Sequence, residues 1–274
     1  MAVDSNLLAK GLDDILQTVL SECGDELLVV NPTADTIEAL VSVATTFDGD
    51  LPVVRVVADG SLLKHVVDDF IVASNAADLV DEGVLSLKTG GGNEANSLVI
   101  TRDSVLALVT TDDRVAALAT DDETFVDSAY GTYAAAWEEA PEFTLRTPSI
   151  TVVRDSLAAD ISEAVRDDFD TVLSSLRTAR GDGEGLDEVT ISLLVAARNE
   201  VLLYDISKWG EDIGIASKAT FSRTKTRLED LGLIDTEKVP IDVGRPRLRL
   251  KLGDDRLREA DADGLADVAQ SLLD

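Results

Sequence analysis

A single cysteine, Cys23, and a single histidine, His65, stand in a chain of 274 residues. One thiol excludes an intramolecular disulfide and any zinc site built on several cysteines. One imidazole excludes a histidine-rich metal centre. Aromatic residues make up only 4% of the chain. No apolar run reaches the roughly 18 residues that a membrane helix needs. The start, MAVDSNLLAK, lacks the basic-then-apolar order of a secretory signal. These absences lead to the expectation of a soluble, cytoplasmic protein with no membrane contact. Positive charge is scarce as well, with 24 Lys+Arg against 53 Asp+Glu and a net charge of −29.

What is present is a globular pattern. Hydrophobic residues make up 45% of the chain and recur periodically, so the charge does not imply disorder. The length allows one large domain or two ordinary ones. Acidic residues are spread over loops and exposed helix faces and are not gathered into a tail, and only 8 of the 24 basic residues are lysine. This distribution fits a surface kept hydrated in high salt, as in a halophile, better than a patch for cationic partners.

Leu8, Leu12, Leu16 and Leu20 recur every fourth residue and predict a helix over Asn6–Ser21. The apolar run LLVV before Asn31-Pro32 reads as a buried strand, and Thr33–Thr46 as a helix. A second strand follows at Pro52–Ala58, then helical pieces at Leu62–Phe70 and Ser74–Leu79, then a third strand, VLSLK. Gly90-Gly91-Gly92 reads as a flexible loop, because no phosphate-loop motif continues it. NSLVIT and VLALVT then predict a hairpin around Arg102-Asp103, RVAALAT a further strand, and Asp122–Glu139 a helix stopped by Pro141. Pro148–Arg180 is helical throughout, and GDGEG at Gly181–Gly185 is a flexible linker. The expected organisation is an α/β regulatory or dimerisation domain with a mixed sheet at 1–145, a helical linker at 146–182, and a winged helix-turn-helix at 183–274.

The last domain carries the functional signal. A helix at Leu186–Arg198 precedes a short one, with Asp205 as its expected N-cap, that runs to Asp212. Ile213-Gly214-Ile215 makes the turn, Ser217 caps a third helix over Lys218–Leu231, and Gly232 ends it. Two strands, IDTEKVP and RPRLRLKL, flank Asp242-Val243-Gly244. From Lys218 to Lys251 there are nine basic and five acidic residues, a local net of +4, so the other 240 residues carry −33. No acid occurs from Ala216 to Leu228. On the third helix Phe221, Leu228 and Leu231 are expected to face inward. Lys218, Thr220, Arg223, Thr224, Lys225 and Arg227 are left for the surface, offering hydroxyls and guanidinium forks to phosphates and base edges. Arg245, Arg247 and Arg249 alternate along one strand and so share a face that can follow a phosphate backbone or enter a minor groove. Double-stranded promoter DNA is the partner this pattern fits. The plainer alternative is a solvated helix, with Arg247 and Arg249 paired to nearby carboxylates.

The segment IGIASKATFSRTKTRLEDLGLI followed by VGRPRLRL resembles the winged-helix domains of archaeal and bacterial transcription regulators, in which S-K-x-T-x-S-R precedes a G-R-P wing. The longer stretch 202–253 is similar to the haloarchaeal regulators called TbsP, and the likeness extends along the whole chain. The resemblance implies control of central carbon metabolism genes, beside TrmB-type sugar-responsive regulators, in a halophile's cytoplasm. It implies DNA-binding positions at Lys218, Thr220, Ser222, Arg223, Lys225, Arg245, Arg247 and Arg249. The N-terminal part resembles, more weakly, phospholipase-D-like effector domains. An active enzyme of that class needs His and Lys two apart on a strand with a downstream Asp. Here Lys64 and His65 are adjacent, reversed and on a helix, so the domain is expected to be non-catalytic.

Acid pairs at Asp68-Asp69, Asp112-Asp113 and Asp121-Asp122 are expected by composition alone, so neither a metal nor a cofactor is predicted. Cys23 is expected to be a structural thiol whose pKa is raised by Glu22 and Asp25. The expectation is a regulator and not an enzyme, dimeric, with a small metabolite as effector. The Pro148–Arg180 helices and a helix at Leu265–Leu273 are the candidate dimer seams. The alternative is a metabolite-binding or protein-interaction module whose winged helix contacts protein.

Overall fold

The first element of the described residues is a short strand, β1 (Leu7–Ala9), and the first helix, α1 (Leu12–Glu22), follows it. The four-residue recurrence of leucines therefore does not mark one helix over Asn6–Ser21. Gly11 is extended and separates the two elements. Leu8 is 64% exposed whereas Leu16 and Leu20 are buried. The reason is tertiary, since β1 pairs antiparallel with Val115–Ala117 at a sheet edge and Asn6 accepts a hydrogen bond from the Ala119 N–H. The computed structural model describes residues 6–90, 96–180, 186–240 and 246–273. The chain splits into two units, one of 1–67 with 75–145, the other of 68–74 with 146–274. The expected Gly181–Gly185 linker and Gly91-Gly92 lie outside the described residues.

The first unit continues with β2 (Glu26–Val30), α2 (Ala34–Thr45), β3 (Val53–Ala58), α3 (Gly60–Val67), α4 (Phe70–Asp81, whose first turn belongs to the second unit) and β4 (Leu85–Thr89). β5 (Leu98–Ile100), β6 (Val105–Thr110), β7 (Val115–Thr120) and α5 (Glu123–Glu139) complete it. The seven strands form one sheet in the order β1-β7-β6-β5-β2-β3-β4. The β2, β3 and β4 pairings are parallel and the others antiparallel, so the sheet is mixed as expected. β2 lies between two neighbours and is buried on both faces, which explains its unbroken apolar run. Leu28 and Val30 meet Val126 and Trp137 of α5 on one face, and Leu27 and Val29 point to the other. The predicted hairpin closes as β5 and β6, with the Thr101 hydroxyl accepting from the N–H groups of Asp103 and Ser104. Glu26 at the start of β2 pairs with Arg55 at 2.6 Å and Arg102 at 3.3 Å and accepts from the Tyr130 hydroxyl.

The second unit holds α6 (Ile150–Asp160), α7 (Glu163–Ser175), α8 (Glu188–Arg198), α9 (Leu203–Asp212), α10 (Lys218–Asp230), the pair β8 (Ile234–Val239) and β9 (Arg247–Leu252), α11 (Asp255–Glu259) and α12 (Ala262–Leu273). Ser162 breaks the Pro148–Arg180 region into two helices, its hydroxyl accepting from the Val165 N–H. Neither helix is a free spacer. Leu157 of α6 and Phe169 of α7 share one core with Leu194, Trp209, Leu228 and Leu265. The indole of Trp209 donates to the Ser156 hydroxyl at 2.9 Å, the partner that a buried indole requires. Leu265, Ala266 and Ala269 of α12 are fully buried in the same core. The apolar faces of these helices, expected as dimer seams, are thus taken up inside the unit. Buried Asp69 ties 68–74 to it, accepting from Ile71 N, Ala179 N, Arg180 Nε and the Thr178 hydroxyl.

Candidate nucleic-acid interface

α8 is the pillar of the site, with Val189 through Ala197 all buried. α9 and α10 pack on it and on each other, and two glycines set their crossing. Gly214 has φ +87°, a conformation that side chains rarely adopt, and it turns the chain between the helices. Gly210 admits no side chain, because a Cβ there would lie 2.4 Å from the ring of Phe221. α9 starts at Leu203 with Leu202 as N-cap, so Asp205 is not the expected cap. It sits in the first turn, where its charge suits the helix dipole, and pairs with Arg247. α10 begins as predicted, with Ser217 Oγ accepting from the Thr220 N–H at 3.2 Å, and Gly232 follows its end at φ +75°.

The surface of α10 differs from expectation at two residues. Lys225 is turned inward, 9% exposed, and ion-paired with Glu229, which also accepts from Thr236 of β8. Leu231, expected in the core, is 47% exposed. The outward face is made of Ala219, Ser222, Arg223, Thr226 and Arg227, positions three and four apart, with Asp230 at its C-terminal end. Lys218 and Thr220 are half-buried at its edge. Lys218 is held by Glu211 at 2.6 Å, a bond that raises its pKa and lowers that of Glu211. Arg223 donates to the Thr220 hydroxyl, and among the described residues neither it nor Arg227 forms an ion pair. Arg227 completes this free guanidinium pair, and its signal in the sequence was the four-residue step from Arg223.

In the wing, Leu250 and Leu252 face the core while Arg247, Arg249 and Lys251 alternate outward. β9 lies between β8 and the segment at Val201–Leu202, which bonds Leu250 N and bridges to Arg249. That segment brings acids beside the arginines. Arg247 pairs with Asp205 at 3.4 Å and lies over the Tyr204 ring at 4.2 Å, Arg249 stands 3.8 Å from Glu200, and Lys251 pairs with Glu237 at 2.8 Å. The plainer alternative for Arg247 and Arg249 is thereby realised. Half-exposed pairs of this length are worth about 0–1 kcal/mol and exchange readily for phosphate. Arg245 lies outside the described residues.

Other residues singled out in the sequence are not brought together. Lys64 and His65 are exposed on α3. Asp69 serves the packing just described, Asp122 caps α5 by accepting from Phe125 N, and no group of three metal-ligating side chains occurs among the described residues. Burial pushes the Cys23 thiol up, and this, not its acidic neighbours, is the cause. No helix among the described residues is long and apolar enough to cross a membrane.

Two family profiles match the chain end to end. Residues 4–148 match the N-terminal domain of TbsP-like transcriptional regulators, and residues 149–270 match their C-terminal helix-turn-helix domain. The chain belongs to the TbsP-like regulators. No curated protein matches it. Two solved structures share local likeness with this TbsP-like chain. TrmBL2, an archaeal chromatin protein with a novel mode of DNA binding, is 14% identical over 52% of this chain and 55% of its own, with TM-score 0.36. The chain thus spans about half the length of TrmBL2. NucT from Helicobacter pylori is 16% identical over 50% of this chain and 98% of its own, with TM-score 0.31. Likeness this slight carries no argument about function.

Proposed function

We propose that this TbsP-like regulator binds promoter DNA sequence-specifically, with α10 in the major groove and the wing along the adjacent backbone. The observation that carries the reading is the outward face of α10. In a chain of net charge −29 it offers Arg223 and Arg227, which have no carboxylate partner among the described residues, beside the hydroxyls of Ser222 and Thr226. Lys218, Thr220, Ser222 and Arg223 contact DNA from the helix, and Arg245, Arg247 and Arg249 from the wing. Lys225 is a structural residue in this reading. The protein acts as a two-fold dimer, since winged-helix regulators commonly read paired half-sites, and works in a halophilic archaeon's cytoplasm on genes of central carbon metabolism, as the resemblance implies. The N-terminal unit, phospholipase-D-like but without catalysis, serves regulation and dimerisation. A metabolite effector has a place to bind in a cavity of about 820 Å3 beside the wing, lined by Arg198, Lys251 and Arg258 with Asp168 and Glu200.

At about 1 M salt the Debye length is about 3 Å, so binding leans on base contacts and packing more than on long-range charge. The salt slope is expected to be flatter than that of a basic regulator. The test is a titration of promoter DNA at molar salt with the triple variant Arg223→Glu, Arg245→Glu, Arg247→Glu. Loss of specific binding is expected, and undiminished binding would overturn the assignment. One observation favours the alternative of a protein-contacting winged helix, namely the pairing of Arg247 and Arg249 with Asp205 and Glu200. The same titration decides between them.

A further inference from the structure

Among the described residues, no helix covers one face of the antiparallel half of the sheet. α1 packs against β1 and β7, and Leu106, Val115 and Ala117 on that side are buried. On the other side α5 covers β2 and β5. Leu8, Ala116 and Val109 form one cross-strand row there, and Leu118 beside Ala107 forms the next, all on the same face by the two-residue period of the strands. Leu8, Val109 and Leu118 are among the most exposed large apolar residues of the chain, with Leu118 at 50%. Phe125 in the first turn of α5 is exposed as well. The 15 residues of β1, β6 and β7 include no charged side chain, although 28% of the chain is charged and a proportional share would be about four.

We propose that this open face is the seam through which two copies of the chain pair about a two-fold axis. The charge argues for a second copy as the occupant. Each copy carries −29, so almost any other pair of faces would bury carboxylates against carboxylates, at a large desolvation penalty. A basic partner would gain nothing from an uncharged face, whereas an isologous contact matches it with an identical apolar face. Asp112 and Asp113, beside Arg114, in the β6–β7 turn and Asp121 and Asp122 after β7 form a margin of net negative charge, giving the apolar centre and polar rim of a protein interface. The helices α6, α7 and α12 are weaker candidates, since most of their apolar residues are buried in the second unit and Val152 of α6 stands exposed without a second exposed large apolar residue on these helices beside it. The rim acids repel across the two-fold at low salt, so pairing should tighten as salt screens them and strengthens apolar burial.

The inference rests on the proposed dimeric function and assigns its surface. Sedimentation equilibrium of the full chain from about 0.2 M to about 2 M KCl, a range that shortens the Debye length severalfold, measures the dissociation constant. A constant that falls with salt is expected. Leu118→Glu and Val109→Glu each place a carboxylate in the seam twice, and each should weaken pairing at least about a hundredfold while circular dichroism shows the chain still folded. Val152→Glu, at an exposed apolar residue of α6, should leave it unchanged. A wild-type chain that is monomeric at every salt concentration would overturn both the seam and the dimeric reading. A dimer that both glutamate variants leave intact would overturn the seam alone. Should the glutamate variants fail to fold, Leu118→Thr and Val109→Thr keep the strand propensity and should still weaken pairing about tenfold. An unchanged constant in those variants would count against the seam equally.

Discussion

Arg223 and Arg227 on α10 and Arg247 and Arg249 on β9 lie in one basic stretch of sequence, yet the fold treats them differently. On the helix the two guanidiniums stand exposed, in a run with no acid from Ala216 to Leu228. On the strand they stand half-exposed against Asp205 and Glu200, which come from 42 and 49 residues away in the chain. A helix face takes its charge environment mostly from its own sequence, because residues three and four apart are its nearest neighbours. A central strand takes its environment from whatever is paired beside it. The helix therefore offers net attraction to phosphate, while the wing must exchange one set of oxygens for another.

The largest effect tests the helix as a whole. Gly210→Val should clash with the Phe221 ring, cost at least about 1–3 kcal/mol by overpacking, and abolish DNA binding by misplacing α10, as thermal melting and a binding titration would show. Next, Arg223→Glu with Arg227→Glu should lower affinity for promoter DNA about a hundredfold at fixed salt, since two free guanidiniums become repulsive. Arg247→Ala with Arg249→Ala should cost no more than about tenfold in fluorescence anisotropy, because those arginines give up existing pairs to bind. Equal losses on helix and wing would erase the distinction between them. Asp205→Asn with Glu200→Gln should make the wing behave like the helix, raising affinity about two- to fivefold and steepening the salt slope by freeing its arginines.

The smallest effect concerns Lys218 and Glu211. The carboxyl of Glu211 is held below its ordinary value of 4.5, so whatever the pair contributes is present above that pH and fades as pH falls through the lowered pKa. The ammonium of Lys218 is raised above 10.5, so the contribution is present below that pH and lost as pH rises further. Between pH 6 and 9 the melting temperature should therefore not respond to this pair, and nuclear magnetic resonance of Glu211 should place its titration below that of a free glutamate.

Much of the site was legible because its determinants are local. The hydroxyl of Ser217 before Lys218, Gly232 after the helix and the turn at Gly214 act over three or four residues. The hairpin at Arg102-Asp103 was legible for the same reason. Lys225 and Leu231 were not. α10 packs on α8, α9 and β8 at once, and the position of β8 decides that Lys225 points inward to Glu229 while Leu231 is left outside. Leu8 misled for a related reason, since its spacing matched α1 but its backbone was claimed by β7, more than a hundred residues later, which made it part of an edge strand.

Periodicity, caps and composition were enough to specify the alternation of elements, the mixed sheet and the acid-free run from Ala216 to Leu228. Packing was needed to settle which charges are partnered, that α6, α7 and α12 close a core with the winged helix, and that no helix among the described residues covers one face of β1, β6 and β7. The physical reason is range. A cap or a turn is satisfied within a few residues. A partner for Arg247 has to come from a distant part of the chain.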